Sequence, residues 1–408
     1  MNFISKLFVD YFWFWMSLWG VLHMFGLKSF EGGMMKIAVG IAAWNIVCNK
    51  IKFHAIDIVV CFFVVFSLFS YCWFSYPTEY FNIALVNQVF PISMLYVARC
   101  RCCRDNNFIN NMYLPLLFCF VCALYLYFFS PSWYIAYKTN DWTWDYTGDV
   151  YYEHMRLSGF WPWSYFIGYA SLFFIMLLGT ERFLLHKQRR FWGISMFIAL
   201  IVLLLAQQRA SIAYLFVFVA LLFCFKKNYS LKIKRKYFFW ALCVVFFFMV
   251  FLFVALSHME KDFLDYVLNR SVNSNSNLIV DRISLYWHFF SNISLGGDGL
   301  GSHSHTIRFF AWKEMISDCD YVRILRELGV VGMLLVVIIF SLPLIKNMKR
   351  IRLYFFEYNV IFFLLLSMIG ATPLEHLPLH PYIYWYCLGR IVDCKTQNCA
   401  VNSYETTK

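Results

Sequence analysis

Apolar runs of membrane-spanning length recur along the whole chain, separated by short polar segments. A helix needs about 20 consecutive apolar residues to cross the hydrocarbon core of a bilayer. This pattern predicts about twelve spans and an all-α, polytopic transmembrane helix bundle, with residues 1–408 in one integral membrane domain. The predicted spans are 7–27, 33–48, 55–75, 80–98, 112–130, 161–180, 191–206, 211–225, 237–257, 328–345, 353–372 and 381–393.

The composition supports a membrane protein. Hydrophobic residues make up 61% of the chain and charged residues 14%, and the mean hydropathy is +0.60. A soluble chain of this length would need far more charge to cover its surface. The first apolar run is too long for the core of a signal peptide and has no small-residue cleavage site, so we expect it to be retained as a helix.

The positions of lysine and arginine predict how the chain is oriented. The net charge is +12, but most of this charge lies in short loops between apolar runs, which argues for topology and against nucleic-acid binding. The strongly basic loops all fall on one side: Lys50 with Lys52, 99–104, 182–190, 226–236 and 346–352. The positive-inside rule makes that side cytoplasmic, together with both termini. Two longer segments are then periplasmic, a short loop at 131–160 and a large loop at 258–327 between the ninth and tenth spans.

Cysteine gives no sign of a metal site, although the chain has 14 of them. Most lie inside apolar runs, where cysteine behaves as a small hydrophobic residue. The cysteines at 100, 102 and 103 alternate with arginines and have no matching ligand pair. We interpret this segment as a basic cytoplasmic loop and expect no bound metal.

Several arginines depart from the positive-inside rule, because they lie at or just beneath the predicted periplasmic face. They are Arg156, Arg209, Arg270, Arg282, Arg308, Arg323 and Arg326. Arg209 lies in a tight hairpin between two apolar helices, where its permanent charge needs an anionic or carbonyl partner or must snorkel to the headgroups. We expect Arg270 and Arg308 to be solvated. The planar guanidinium binds phosphate oxygens in bidentate fashion, so the group as a whole favours a phosphate-bearing ligand.

Three further features of the periplasmic segments are open to a structural or a functional interpretation. The glycine-rich segment 296–301 is predicted to form a turn that folds the loop back. Asp318 and Asp320 precede an amphipathic run, where an acidic side chain would cap a helix or act as a general base. Aromatic residues near the short loop would form a headgroup belt or stack on sugar faces. They are Trp142, Trp144, Tyr151, Trp161 and Trp163.

These motifs, in this order over about residues 150–335, resemble the superfamily of O-antigen polymerases (Wzy-type) and O-antigen ligases. The matching elements are Arg156-Leu-Ser-Gly-Phe, Gln208-Arg-Ala-Ser, Arg282 with Trp287 ahead of the glycine-rich segment, and Glu327-Leu-Gly-Val-Val-Gly. Ligases of the superfamily carry a His-Asn pair about eleven residues before the glycine of the last element. This chain has Asp318-Cys319 there, and polymerases tend to have an acidic residue, so the resemblance favours a polymerase.

The resemblance implies a metal-independent, inverting glycosyltransferase of the bacterial inner membrane, with its active site on the periplasmic face and no cofactor. It would join undecaprenyl-pyrophosphate-linked oligosaccharide repeats, which serve as donor and acceptor; a chain-length regulator is a further candidate partner. The implied catalytic residues are Asp318, Asp320, Arg209 and Arg282. The implied substrate-binding residues are Arg156, Arg323, Arg326, Tyr321, Gly299 and Trp287.

Three other functions remain open from the sequence. A ligase would transfer the glycan to lipid A-core, and a transporter or flippase would move the lipid-linked oligosaccharide across the bilayer. The transporter is disfavoured because no inverted repeat is visible and the large loop lies on one side only. A purely structural membrane protein would leave the periplasmic arginines unexplained.

Overall fold

A computed structural model describes residues 2–27, 30–48, 51, 53–99, 107–129, 131–141, 157–161, 164–186, 189–225, 293–304, 307, 316, 319–375 and 379–393. These residues are helical with short connections, and no strand occurs among them, which confirms the all-α prediction. The α-helices are α1 (Asn2–Ser17), α2 (Trp19–Met24), α3 (Phe30–Val47), α4 (Ala55–Phe69), α5 (Thr78–Ala84), α6 (Ser93–Arg99), α7 (Asn107–Phe129), α8 (Ser132–Asp141), α9 (Ser164–Phe183), α10 (Trp192–Leu205), α11 (Arg209–Phe225), α12 (Asp320–Glu327), α13 (Gly329–Lys346), α14 (Phe355–Ser367) and α15 (His380–Val392).

Each predicted span overlaps helical structure, apart from 237–257, which lies outside the described residues. The span 7–27 overlaps both α1 and α2, and 80–98 overlaps α5, α6 and the turns between them. By length and composition, five helical stretches of the described chain could cross a membrane: Ala55–Trp73, Thr78–Arg99, Asn111–Phe129, Ser164–Phe183 and Gly329–Lys346. Shorter apolar helices run over Gly32–Val47, Trp192–Leu205, Ala210–Phe225 and Phe355–Ser367. The fold is therefore that of a helical membrane protein, while the count of twelve spans stays a prediction.

The helical stretch from Thr78 to Arg99 is not one regular α-helix. Between α5 and α6 it passes through a π-helical turn (Leu85–Val89) and a 3-10 turn (Phe90–Ile92). Pro91 lies in the second turn, and its ring nitrogen cannot donate a backbone hydrogen bond. The irregular turns let the chain pass this proline without leaving the bundle.

The short loop predicted at 131–160 contains a helix at its start. Helix α8 follows Pro131, and the backbone N–H of Tyr134 donates to the carbonyl of that proline at 2.9 Å. The buried hydroxyl of Tyr134 donates to the carbonyl oxygen of Gly159 at 2.9 Å. The start of this segment is therefore packed onto its end, which explains why a short polar stretch is ordered as a helix.

Helices α9 and α15 form the centre of the bundle. Every residue of α15 is buried, and α15 packs against α6 and α14. Helix α9 packs against α10, α11 and α14. The outer helices instead expose large apolar side chains such as Phe62 and Phe128, as expected for a surface that faces lipid.

The two ends of the bundle differ in chemistry. At the end formed by the start of α4 and the end of α6, Arg99 is ion-paired with Asp57. Helices α14 and α15 contribute a second buried pair there, in which Arg390 Nε lies 2.6 Å from Glu357 Oε1. We call this the basic end, because the predicted cytoplasmic loops adjoin these helix ends. The opposite end carries α12 and the glycine-rich segment.

Candidate functional site

A buried ionic network surrounds Arg323 at the end of the bundle opposite the basic end. Arg323 is 1% exposed, and its Nη2 lies 2.6 Å from Asp320 Oδ1 and its Nη1 2.7 Å from Glu327 Oε2. The three residues lie on one face of α12, since their spacing is that of adjacent helical turns. Glu375, from the segment after α14, approaches Arg323 Nε at 3.5 Å. The network therefore ties α12 to the connection between α14 and α15.

Asp320 is the first residue of α12 and is fully buried. Its Oδ1 accepts hydrogen bonds from Arg323, and its Oδ2 accepts the N–H of Leu374 at 2.9 Å. Its own N–H donates to the carbonyl oxygens of Met368 and Ala371. A carboxylate in the first turn also interacts favourably with the helix dipole. Cys319 occupies the N-cap position of α12, so Asp320 acts structurally as the partner of Arg323 and Leu374, and its role as a general base stays a prediction.

The network contains more carboxylates than cations among the described residues. Asp320, Glu327 and Glu375 share the guanidinium of Arg323. Burial raises the pKa of Asp320, against the opposing effects of Arg323 and the Leu374 N–H. Because an unpaired buried charge is costly, these carboxyl groups depend on Arg323 as their shared cation.

The glycine-rich segment packs against the junction between α12 and α13. The N–H groups of Asp298 and Gly299 donate to the carbonyl oxygens of Arg326 and Glu327, at 2.8 and 2.9 Å. In return, the first N–H groups of α13 donate to the carbonyls of residues 294 and 295, both at 3.3 Å. The loop thus satisfies backbone groups at the end of one helix and the start of the next. This confirms the predicted turn and shows what it packs against.

Gly299 has a φ of +102°, a conformation that favours glycine. A Cβ atom at this position would lie 3.0 Å from the Phe74 ring. The geometry explains the glycine by close packing and backbone conformation. Its predicted part in substrate binding stays a prediction.

A second ion pair lies beside the glycine-rich segment and lines an open pocket. Asp298 Oδ2 lies 2.7 Å from Arg326 Nη2 and 2.8 Å from His303 Nε2. Partial burial raises the pKa of Asp298, but the His303 hydrogen bond and the Arg326 charge outweigh burial and hold this pKa below its usual value. The carboxylate is therefore ionised at neutral pH. The pocket has a volume of about 440 Å³ and is also lined by Trp73 and Tyr76.

The predicted hairpin at Arg209 is present. Helix α10 ends at Leu205, Gln207 adopts a positive φ of 52°, and Arg209 opens α11. The N–H of Leu157 donates to the carbonyl oxygen of Leu205 at 3.1 Å. The Arg-Leu-Ser-Gly element and the hairpin element are therefore in contact, as are Gly168 and the Gln208 side chain.

Two more residues from the sequence analysis have clear structural contacts. The hydroxyl of Tyr321 donates to the carbonyl oxygen of Leu365 at 2.7 Å, which anchors α12 to α14. Trp161 is 1% exposed and stacks against Phe166 with ring centroids 6.1 Å apart. Trp161 is thus a packing residue. This role differs from both roles that the sequence offered for the loop aromatics, a headgroup belt and stacking on sugar faces.

Several of the predicted site residues lie outside the described part of the chain. They are Arg156, Arg282, Trp287 and Asp318 among the implied catalytic and binding residues, and Trp142, Trp144, Tyr151, Trp163, Arg270 and Arg308 among the others. Their roles stay predictions.

Sequence reasoning missed two parts of this end of the molecule. Glu375 was not singled out, although a lone carboxylate beside a predicted span is a recognisable signal for a functional or paired charge. Trp73 was assigned to the end of the predicted span 55–75 and Tyr76 to the connection that follows it, and only the fold brings them next to Asp298. His303 also belongs to this end, because its backbone N–H donates to Glu327 Oε1 with a nitrogen–oxygen distance of 3.3 Å.

Within the described ranges, no group of three or more histidine, cysteine, aspartate or glutamate residues is arranged to hold a metal ion. No protein-family model matches this chain, and no curated protein is detectably similar to it in sequence. The fold and the composition thus define a polytopic helical membrane protein with a polar, charged site at one end.

Proposed function

We propose that the protein is an O-antigen polymerase, a membrane glycosyltransferase that joins lipid-pyrophosphate-linked oligosaccharide repeats at the periplasmic face. One observation carries the proposal. The glycine-rich segment and the Glu327-Leu-Gly329 helix start, which belong to separate motifs of the resemblance, are bonded to each other at one end of an apolar bundle. Beside this junction lies a polar pocket open to solvent.

The other two motifs also face this end. The hairpin that bears Arg209 contacts Leu157. Tyr169 of α9 lies beside Gln208 and Ser367 and within electrostatic range of Asp320. One central helix thus connects the hairpin with the ionic network. A cluster of buried and partly buried charges, such as Arg323 and Arg326 with their carboxylate partners, is typical of a functional site.

In the proposed reaction, a hydroxyl oxygen of the acceptor sugar attacks the anomeric carbon of the donor chain. The carbon–oxygen bond to the pyrophosphate breaks with inversion, and the lipid pyrophosphate leaves with the electron pair. This leaving group is already a stabilised anion, so it requires neutralisation of charge more than protonation. We assign this role to Arg209 and Arg282. Asp318 takes the proton of the attacking hydroxyl, with Asp320 as the second candidate base.

Deletion of the gene in its source bacterium tests the proposal. A polymerase mutant should make lipopolysaccharide with a single repeat, because transfer to the core is intact and only chain extension is lost. Lipopolysaccharide without any repeat would instead indicate a ligase or a flippase.

Reconstitution provides a direct assay. Purified protein in liposomes should convert lipid-linked repeats into lipid-linked polymer without added metal or a core acceptor. Arg209→Lys and Arg282→Lys should each lower this activity strongly, because a point charge cannot reproduce a bidentate contact. Near-normal polymer from both lysine variants would contradict the assignment of these residues to the pyrophosphate.

A further inference from the structure

The open pocket beside the glycine-rich segment is built from parts of the chain that are distant in sequence. Trp73 and Tyr76 come from the segment after α4, Asp298 from the glycine-rich segment, and Arg326 from the end of α12. Its volume of about 440 Å³ falls in the range of about 300–1,000 Å³ typical of small-molecule sites. The pocket is formed by the tertiary fold, and no single motif contains it.

The charge of the pocket does not suit a pyrophosphate. Arg326 is the arginine of the described lining, and its Nη2 is ion-paired with Asp298 Oδ2 at 2.7 Å. The side chain of Asp298 is 39% exposed, so an anion entering the pocket would meet an ionised carboxylate as well as the guanidinium. An arginine already paired in this way offers little net attraction to a polyanion. The ligand of this pocket should therefore be uncharged or carry positive charge.

The remaining chemistry matches a carbohydrate. The Trp73 ring packs against Phe69, at a centroid distance of 5.6 Å, and lies beside Gly296, where an added Cβ atom would lie 3.5 Å from the ring. The buried Nε1 of Trp73 has no hydrogen-bond partner among the described residues. Among the described residues, Asp298 accepts from His303 and Arg326 at Oδ2, and its side chain is 39% exposed to a ligand in the pocket. A sugar presents an apolar face to an aromatic ring and hydroxyl groups to a carboxylate and to serines such as Ser75.

We propose that this pocket is a carbohydrate subsite for part of the lipid-linked repeat remote from its pyrophosphate, with a sugar face on Trp73 and a sugar hydroxyl donating to the Asp298 carboxylate. This inference rests on the proposed function for the identity of the glycan. It assigns Trp73 and Asp298 to substrate binding and removes Arg326 from the group of arginines that would hold the pyrophosphate.

Binding measurements on the purified full-length protein in nanodiscs test the proposal. The probe is the oligosaccharide released by mild acid from the lipid-linked repeats of the source bacterium, free of lipid and pyrophosphate. Trp73→Ala should weaken its binding about tenfold, whereas Trp73→Phe should stay within roughly threefold, because phenylalanine keeps an aromatic face. Trp44→Ala, at an exposed position of α3, is the matched control and should leave binding unchanged.

Competition with inorganic pyrophosphate tests whether the pocket excludes an anion. It should not compete with the oligosaccharide in the wild-type protein, because Arg326 is neutralised by Asp298. In Asp298→Asn, pyrophosphate should begin to compete, because Arg326 loses its counter-ion while the shape of the site is kept. Competition in the wild-type protein, or Trp73→Ala with unchanged oligosaccharide affinity and melting temperature, would overturn the proposal.

The polymerisation assay separates this inference from the proposed function. If both are correct, Trp73→Ala should raise the KM for the lipid-linked repeat with a smaller change in kcat. Polymer formation by Trp73→Ala with an unchanged KM would contradict the proposed subsite but not the proposed polymerase activity. Oligosaccharide binding that depends on Trp73, without any polymer from the wild-type protein, would disprove the polymerase and leave a sugar site.

Discussion

The backbones of Gly297 and Gly329 lie in direct contact, although one belongs to the glycine-rich segment and the other to the start of α13. A Cβ atom on Gly297 would lie 2.5 Å from the Gly329 nitrogen, and one on Gly329 would lie 2.6 Å from the Gly297 nitrogen. Both residues have positive φ values, +75° and +65°. Only glycine meets both requirements without strain. This glycine pair determines how the glycine-rich segment packs on the start of α13, and hence the position of Asp298.

Gly329→Ala should lower the free energy of unfolding by about 2–4 kcal/mol, because the new methyl group meets backbone atoms at a strained φ. Denaturation of the purified protein in detergent measures the change. Gly193→Ala is the matched control, since a Cβ atom there has no neighbour within 4 Å. Equal stability of the two variants would show that the loop is not held by this contact.

Arg323→Met should destabilise the protein by about 3–5 kcal/mol, because it leaves buried carboxylates without their cation. The loss should appear as reduced thermal stability and as reduced protein abundance in the membrane. Arg190→Met, at an exposed position near the basic end, should have little effect. If Arg323→Met melts normally and loses only polymerase activity, Arg323 is a substrate-binding residue, as the resemblance implies.

Asp318→Asn and Asp320→Asn should have different consequences. A general base typically accelerates a reaction about 10²–10⁴-fold, so Asp318→Asn should lower the rate of polymer formation within that range at unchanged protein abundance. Asp320→Asn should instead lower stability, because Arg323 loses a charged partner. Rate and melting temperature, measured together, distinguish the two. Normal polymer from Asp318→Asn would remove this residue from the mechanism.

Cysteine labelling in a variant without native cysteines should distinguish the two ends of the bundle. Ser75 lines the polar pocket, and Lys346 is exposed at the basic end. A charged maleimide that passes the outer membrane but not the inner membrane should label Ser75→Cys in intact cells. It should label Lys346→Cys only after the inner membrane is opened. The reverse result would place the basic end in the periplasm and contradict the positive-inside assignment.

Most of the helices could be predicted from the sequence. The apolar run at 328–345, for example, coincides with α13 within a residue at each end, because a long apolar segment in a bilayer must satisfy its own backbone hydrogen bonds. The helix α8 was missed because its order depends on contacts such as Tyr134 with Gly159, which are not local in sequence. The π-helical turn at Leu85–Val89 was likewise not predicted, although Pro91, just after it, is a residue that interrupts regular helices.

The candidate site divides in the same way. The sequence alone determined which residue types stand at this end: arginines and aspartates in segments predicted to be periplasmic, a glycine-rich turn and a hairpin. It determined the charged ones because charge is excluded from spans unless it has a role there. Only the tertiary structure decided which charges pair. It placed Arg323 among Asp320, Glu327 and Glu375, and it set Arg326 against Asp298 beside Trp73. The reason is that the energy of a charge depends on its burial and its neighbours within a few ångströms, and folding brings those neighbours from distant parts of the chain.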